Sequence, residues 1–128
     1  MSEPFIFIGT HRIKEGKLED FKKDFQELAE LVESNEPRVI AFNAYIDDEG
    51  AEVAIVQVHP DPDSMEFHMQ VVREHIERAY REFLDATTSL QLFGKLSDAA
   101  LEMMRQASGV PPSVKPSHLG GFTRSSAD

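Results

Sequence analysis

The chain has 128 residues, no cysteine, and 13 basic against 23 acidic side chains, a formal charge of -10. That length suits one domain around a single core, and so acidic a surface repels nucleic acid and anionic lipid, which excludes a general DNA- or RNA-binding role. The absence of cysteine removes disulfides, thiolate nucleophiles and cysteine-based zinc sites together.

The charge is uneven. Residues 1–96 carry the whole excess of acid, whereas residues 97–128 are neutral overall. After Gly109 come Pro111, Pro112, Pro116, Gly120 and Gly121, which no helix or central strand accommodates. The pattern predicts an acidic body over 1–96, then a short helix and an irregular arm over 97–128. That second part is expected to pack on the same domain or on a dimer partner. The first apolar run, Phe5 to Ile8, is too short for a secretory signal, and no run approaches the roughly 20 residues of a membrane span. A cytoplasmic protein with no membrane partner is expected.

In chain order, Phe5–Arg12 is rich in β-branched and aromatic residues and predicts a strand. Glu15-Gly16-Lys17 breaks it. Leu18, Phe21, Phe25, Leu28, Ala29 and Val32 then recur at helical spacing, so an amphipathic helix is expected from about Lys17 to Ser34, closed by Glu36-Pro37. Val39–Ile46 and Val53–His59 are apolar runs joined by Asp47-Asp48-Glu49-Gly50, a hairpin signal. Pro60 and Pro62 end the second run, and Asp63 or Ser64 is placed to cap a long helix from about Met65 to Leu84. Thr87–Phe93 predicts a fourth strand, and Ser97 caps a last short helix.

The fold class predicted is α+β: the ferredoxin-like order β-α-β-β-α-β with a four-stranded antiparallel sheet. The first three strands are apolar at both odd and even positions, whereas two helices cover only one face of such a sheet. A second copy would cover the other face, which predicts a homodimer with sheets meeting face to face.

Lys14-Glu15-Gly16-Lys17-Leu18-Glu19-Asp20-Phe21, Glu36-Pro37 before the second strand, and Asp61-Pro62-Asp63-Ser64-Met65-Glu66-Phe67-His68-Met69 together resemble the antibiotic-biosynthesis-monooxygenase-like family of dimeric α/β barrels. The resemblance covers residues 5–93. It implies a dimeric α/β barrel with a histidine on the second long helix, here His68. Relatives include oxygenases that act on electron-rich polyphenols without metal or flavin, haem-degrading enzymes and small-molecule isomerases. Two positions depart from the family: Arg38 stands where it often has Gly, and His59 where it often has Trp.

His68 interrupts an apolar stripe of Met65, Met69 and Val72, so its ring should face the sheet. It is a candidate proton acceptor, or a buried structural histidine. His75, seven residues on, falls near the same face but too far along the axis to share a metal with His68. His59 ends a strand, as a second candidate at the edge of a site or as a surface histidine. Asn43 and Tyr45 alternate and therefore share a sheet face, lining a pocket or a dimer interface. His11 alternates with Phe7 and Gly9 and is a further candidate contact. No glycine-rich phosphate loop, G-x-S-x-G elbow or HExxH motif is present, so no metal, haem, flavin or nucleotide cofactor is expected.

Two functions fit this pattern. The first is a cofactor-independent monooxygenase acting on a small aromatic or quinol-like molecule, with His68 and His59 catalytic and Asn43, Tyr45, His11 and His75 binding substrate. The second is a non-catalytic dimeric binding or accessory protein whose pocket is filled by core side chains. An open cavity between sheet and helices favours the first.

Overall fold

A computed structural model describes residues 3–124. Its elements run β1 (Phe5–Ile13), α1 (Leu18–Asn35), β2 (Ala41–Ile46), β3 (Glu52–His59), α2 (Pro62–Val71), α3 (Arg73–Glu82), β4 (Leu84–Phe93), α4 (Asp98–Ser108) and β5 (Ser113–Lys115). The strands form one sheet in the order β2-β3-β1-β4-β5. The first four pair antiparallel and β5 runs parallel to β4. The fold is therefore α+β as expected, with a mixed five-stranded sheet in place of the four-stranded antiparallel one. Residues 113–115 of the arm supply the extra strand: Val114 packs beneath α4, and an edge strand tolerates nearby prolines.

Two local expectations change. The long helix is two helices, α2 and α3, separated at Val72, whose φ of -97° and ψ of 5° leave the helical basin. Val72 is buried against Leu28 and Val32 of α1 at this corner. The cap of α2 is Asp61, whose carboxylate accepts from the Ser64 amide at 2.9 Å, with Pro62 supplying the pre-set φ of the first turn. Ser97 caps α4 as expected, accepting from the Ala100 amide at 3.1 Å.

Every helix lies on one side of the sheet. Phe5, Phe7, His11 and Ile13 of β1 and Val53, Ile55, Gln57 and His59 of β3 are buried beneath the helices. On the opposite face the register lines up Ala41, Val58, Ile6 and Phe93 in one row and Asn43, Val56, Ile8 and Gln91 in the next. That face is largely apolar, and no described element of the chain covers it. The arm beyond β5 does not dock on its own body: Leu119 is fully exposed and Phe122 is 79% exposed, stacked only by the Arg124 guanidinium. The last four arm residues, 125–128, lie outside the described residues.

Candidate functional site

Pro37 holds the residue before it out of the helical region, so α1 stops at Asn35 and Glu36 caps it, with φ -130° and ψ 74°. This turns the Glu36 side chain under the sheet toward α2. There His68 Nδ1 lies 3.0 Å from both carboxylate oxygens, and each residue is only 3% exposed. A carboxylate only accepts, so Nδ1 carries the hydrogen bonded to Glu36 and Nε2 is the ring nitrogen left free to exchange a proton. Among the described residues Nε2 has no hydrogen-bond partner. Phe42 packs against the ring at 5.4 Å between centroids and is itself stacked on Phe25 at 5.2 Å.

Behind His68 stands His59, its ring centroid 5.7 Å away. His59 is fully buried, with Nδ1 2.7 Å from the Ser64 hydroxyl and Nε2 2.9 Å from Gln57 Oε1. Burial, reinforced by the neighbouring His68, pushes its pKa down to about 3, so the ring is neutral.

A second polar group faces the same space from the far end of β1. Strand β4 shifts register between the pairs Thr10–Ser89 and His11–Thr87, leaving Thr88 unpaired as a bulge. The bulge turns Thr87 and Leu90, three residues apart, onto one buried face. Thr87 Oγ then sits 3.0 Å from His11 Nδ1 and 3.0 Å from the Tyr80 hydroxyl. Burial lowers the His11 pKa to about 4 and raises that of Tyr80, so both are neutral near pH 7.

Between these groups lies a cavity of about 450 Å³. His68, Gln57, His11 and Tyr80 contribute polar groups to its wall. The rest is mainly apolar, and Met65, Met69, Met103 and Met104 all line it: the four methionines of the described residues converge on one space. Unbranched, polarisable side chains give the wall the ability to fit an irregular or aromatic body. Arg73, Glu77, Gln106 and Ala107 are its solvent-exposed members and place the mouth between α3 and α4. Gly9 shapes the floor. A Cβ there would lie 2.8 Å from the tip of the Phe7 ring and 3.2 Å from His11 Nε2.

Of the residues singled out in the sequence, His68 and His11 line the cavity. His59 stands behind the wall, with both nitrogens bonded. Asn43 and Tyr45 do share a face, but it is the one turned away from the helices, where Tyr45 is 63% exposed. Neither reaches the cavity. His75 also lies outside it, with Asp24 of α1 and Arg78; the Arg78 guanidinium bonds the Asp24 carboxylate and donates to His75 Nε2 at 3.2 Å. This cluster ties α3 to α1. Glu36, Gln57 and Tyr80 were not singled out. The signal for Glu36 was the Glu-Pro that ends α1, and Gln57 is a polar residue at a core-facing strand position. Among the described residues no three metal-ligating side chains converge, and no helix is long and apolar enough to cross a membrane.

No protein-family model matches the chain, and no curated protein matches its sequence. Solved structures do. MupZ from Pseudomonas fluorescens superposes with a TM-score of 0.73 at 18% identity, over 97% of this chain and 91% of that one. A candidate antibiotic biosynthesis monooxygenase from Caulobacter crescentus superposes with a TM-score of 0.65 at 15% identity, over 75% of this chain and 92% of that one. For a candidate antibiotic biosynthesis monooxygenase from Chloroflexus aurantiacus the values are 0.59 and 17%, over 74% and 95%. The chain has the antibiotic-biosynthesis-monooxygenase-like fold. At these identities the likeness is one of architecture, and function has to be argued from the site. The match to MupZ covers nearly the whole chain, whereas the other two cover about three quarters of it.

Proposed function

We propose that the protein is a cofactor-independent monooxygenase that deprotonates a small aromatic or quinol-like hydroxyl compound and lets the resulting anion react with dioxygen. One observation carries this reading: a buried carboxylate–imidazole pair, Glu36–His68, presents an unpaired Nε2 to an open, mainly apolar cavity. His68 takes the hydroxyl proton; the O–H bond breaks, an N–H bond forms at Nε2, and the imidazolium is held by Glu36. The phenolate is the reductant and dioxygen the oxidant. Addition of dioxygen at a ring carbon bearing hydrogen, then loss of water, converts phenol and O2 into quinone and H2O. The protein positions the ring, excludes water and holds the proton.

The test is oxygen uptake by the purified chain with 1-naphthol and a hydroquinone panel, in the presence of a chelator. Uptake by the wild type, at least about a hundredfold lower in His68→Ala, is the expected result. No uptake across the panel, or equal uptake in the variant, overturns the reading. Saturable binding without uptake returns the binding-protein function instead.

The functional unit in this proposal is a homodimer. The uncovered rows around Ile6, Ile8, Val56 and Val58 supply the face for a second sheet. Leu119 and Phe122, unpacked on their own protomer, dock on the partner.

A further inference from the structure

The carboxamide of Gln57 is a polar group that proton transfer to His68 leaves unused. It sits on β3 in the inner row between Phe42 and Phe7, is 5% exposed, and lines the cavity. Its Oε1 is 2.9 Å from His59 Nε2, and the Ser64 hydroxyl is 2.7 Å from His59 Nδ1 on the other side of the ring. A neutral imidazole has one N–H and one acceptor nitrogen. Since Oε1 can only accept, the hydrogen is on Nε2, and Ser64 donates its hydroxyl to Nδ1. Ser64 is itself fixed in the first turn of α2 by the hydrogen bond its backbone N–H donates to the Asp61 carboxylate.

With Oε1 turned to His59, both N–H bonds of Gln57 point away from it, and no hydrogen bond joins them to a side chain or backbone group among the described residues. Gln57 lines the cavity, so these donors are open to a ligand held there. Gln57 and His68 flank His59 and share the cavity wall, so a donor and an acceptor face one end of that space.

We propose that Gln57 is a ligand-contacting residue whose amide N–H donates to the oxygen that His68 deprotonates, and that His59 and Ser64 are positioning residues that hold the amide in this sense. The inference rests on the reading of His68 as proton acceptor. As the O–H bond breaks and N–H forms at His68, negative charge develops on the ligand oxygen, where a fixed donor gains most. The site therefore selects ligands with an ionisable hydroxyl, phenol or enol. An ether in the same place leaves the His68 acceptor without a hydrogen and presents Gln57 with no developing charge.

Two measurements test this on the full chain. In the unliganded protein, 15N NMR should find His59 protonated at Nε2 and bare at Nδ1; the opposite tautomer overturns the proposal without any variant having to fold. With 4-nitrophenol as probe, absorbance reports its ionisation on binding, and 4-nitroanisole is the control. Gln57→Leu should weaken nitrophenolate binding about tenfold and leave nitroanisole affinity unchanged. Ser64→Ala should give a partial loss of the same kind, rescued by Ser64→Thr. Wild-type nitrophenolate affinity in Gln57→Leu, or no binding to the wild type at all, overturns the proposal. If instead His68→Gln ionises the probe as the wild type does while Gln57→Leu does not, the proton-acceptor reading has failed and the Gln57 contact stands.

Discussion

His68 Nδ1 and the Glu36 carboxylate meet at 3.0 Å although 32 residues separate them in the chain. One comes from the middle of α2 and the other from the residue that ends α1, and both are almost wholly buried. Removing one partner of such a pair leaves the other buried and uncompensated, a cost of about 3–5 kcal/mol. Glu36→Ala should therefore lower stability by roughly 3 kcal/mol in urea unfolding. Glu36→Gln keeps an acceptor for Nδ1–H and should unfold close to wild type, yet lose most oxygen uptake because the imidazolium no longer has a counter-charge. If Glu36→Gln retains full turnover, the pair is structural only.

Stability should fall as the solution is acidified from pH 6.5 toward 4. Burial holds His11 near 4 and His59 near 3, against an ordinary value of 6.5. Above pH 6.5 neither the folded nor the unfolded chain binds protons there, and the two rings do not affect stability. Below it the unfolded chain takes up protons that the folded chain refuses, so each ring costs about 1.4 kcal/mol per pH unit once the unfolded form is protonated. The loss stops as the folded rings protonate, near 4 for His11 and near 3 for His59. NMR titration of the native protein should show both Cε1–H resonances static down to pH 5. A midpoint near 6 for either ring would contradict this.

Gly9→Ala tests the cavity floor. The added methyl meets the tip of the Phe7 ring at 2.8 Å, and that ring has open space to move into. Phe7 should swing into the cavity, with a stability cost of about 1–2 kcal/mol and a loss of aromatic ligand affinity of tenfold or more. Unchanged ligand affinity in a folded Gly9→Ala protein would show that ligand does not occupy this end.

The uncovered sheet face leads to a different measurement. Ile8 pairs with Val56 of β3 and Gln91 of β4 at its centre. In the proposed dimer Ile8→Lys places a charge between the two sheets, so the variant should sediment as a monomer at micromolar concentration and the wild type as a dimer. Truncation after Lys115 removes Leu119 and Phe122 and should weaken the dimer without disturbing β5. A wild-type chain that sediments as a monomer, or a truncated chain that associates as tightly as the full one, would remove the respective contact.

Local chemistry wrote much of this fold into the sequence. Helical spacing from Leu18 to Val32 gave α1, Asp47 to Gly50 the hairpin, and Ser97 the start of α4, because each depends on residues a few positions apart. The two-sided apolar strands already implied a face that the helices leave bare, and the Met65–His68–Val72 stripe placed an imidazole against the sheet. Strand alternation also paired Asn43 with Tyr45 correctly. It could not say which face carries the helices, and that alone put both residues outside the cavity. The Thr88 bulge that swings Thr87 onto His11 depends on pairing between β1 and β4, 76 residues apart at that contact. The partnership of Glu36 with His68 depends likewise on how the end of α1 falls against α2. The contacts of His59 with Ser64 and Gln57, on either side of its ring, likewise come from packing across the turn before α2. Such groups acquire their chemistry from neighbours distant in sequence or folded across a turn, and only the packed chain decides who those neighbours are.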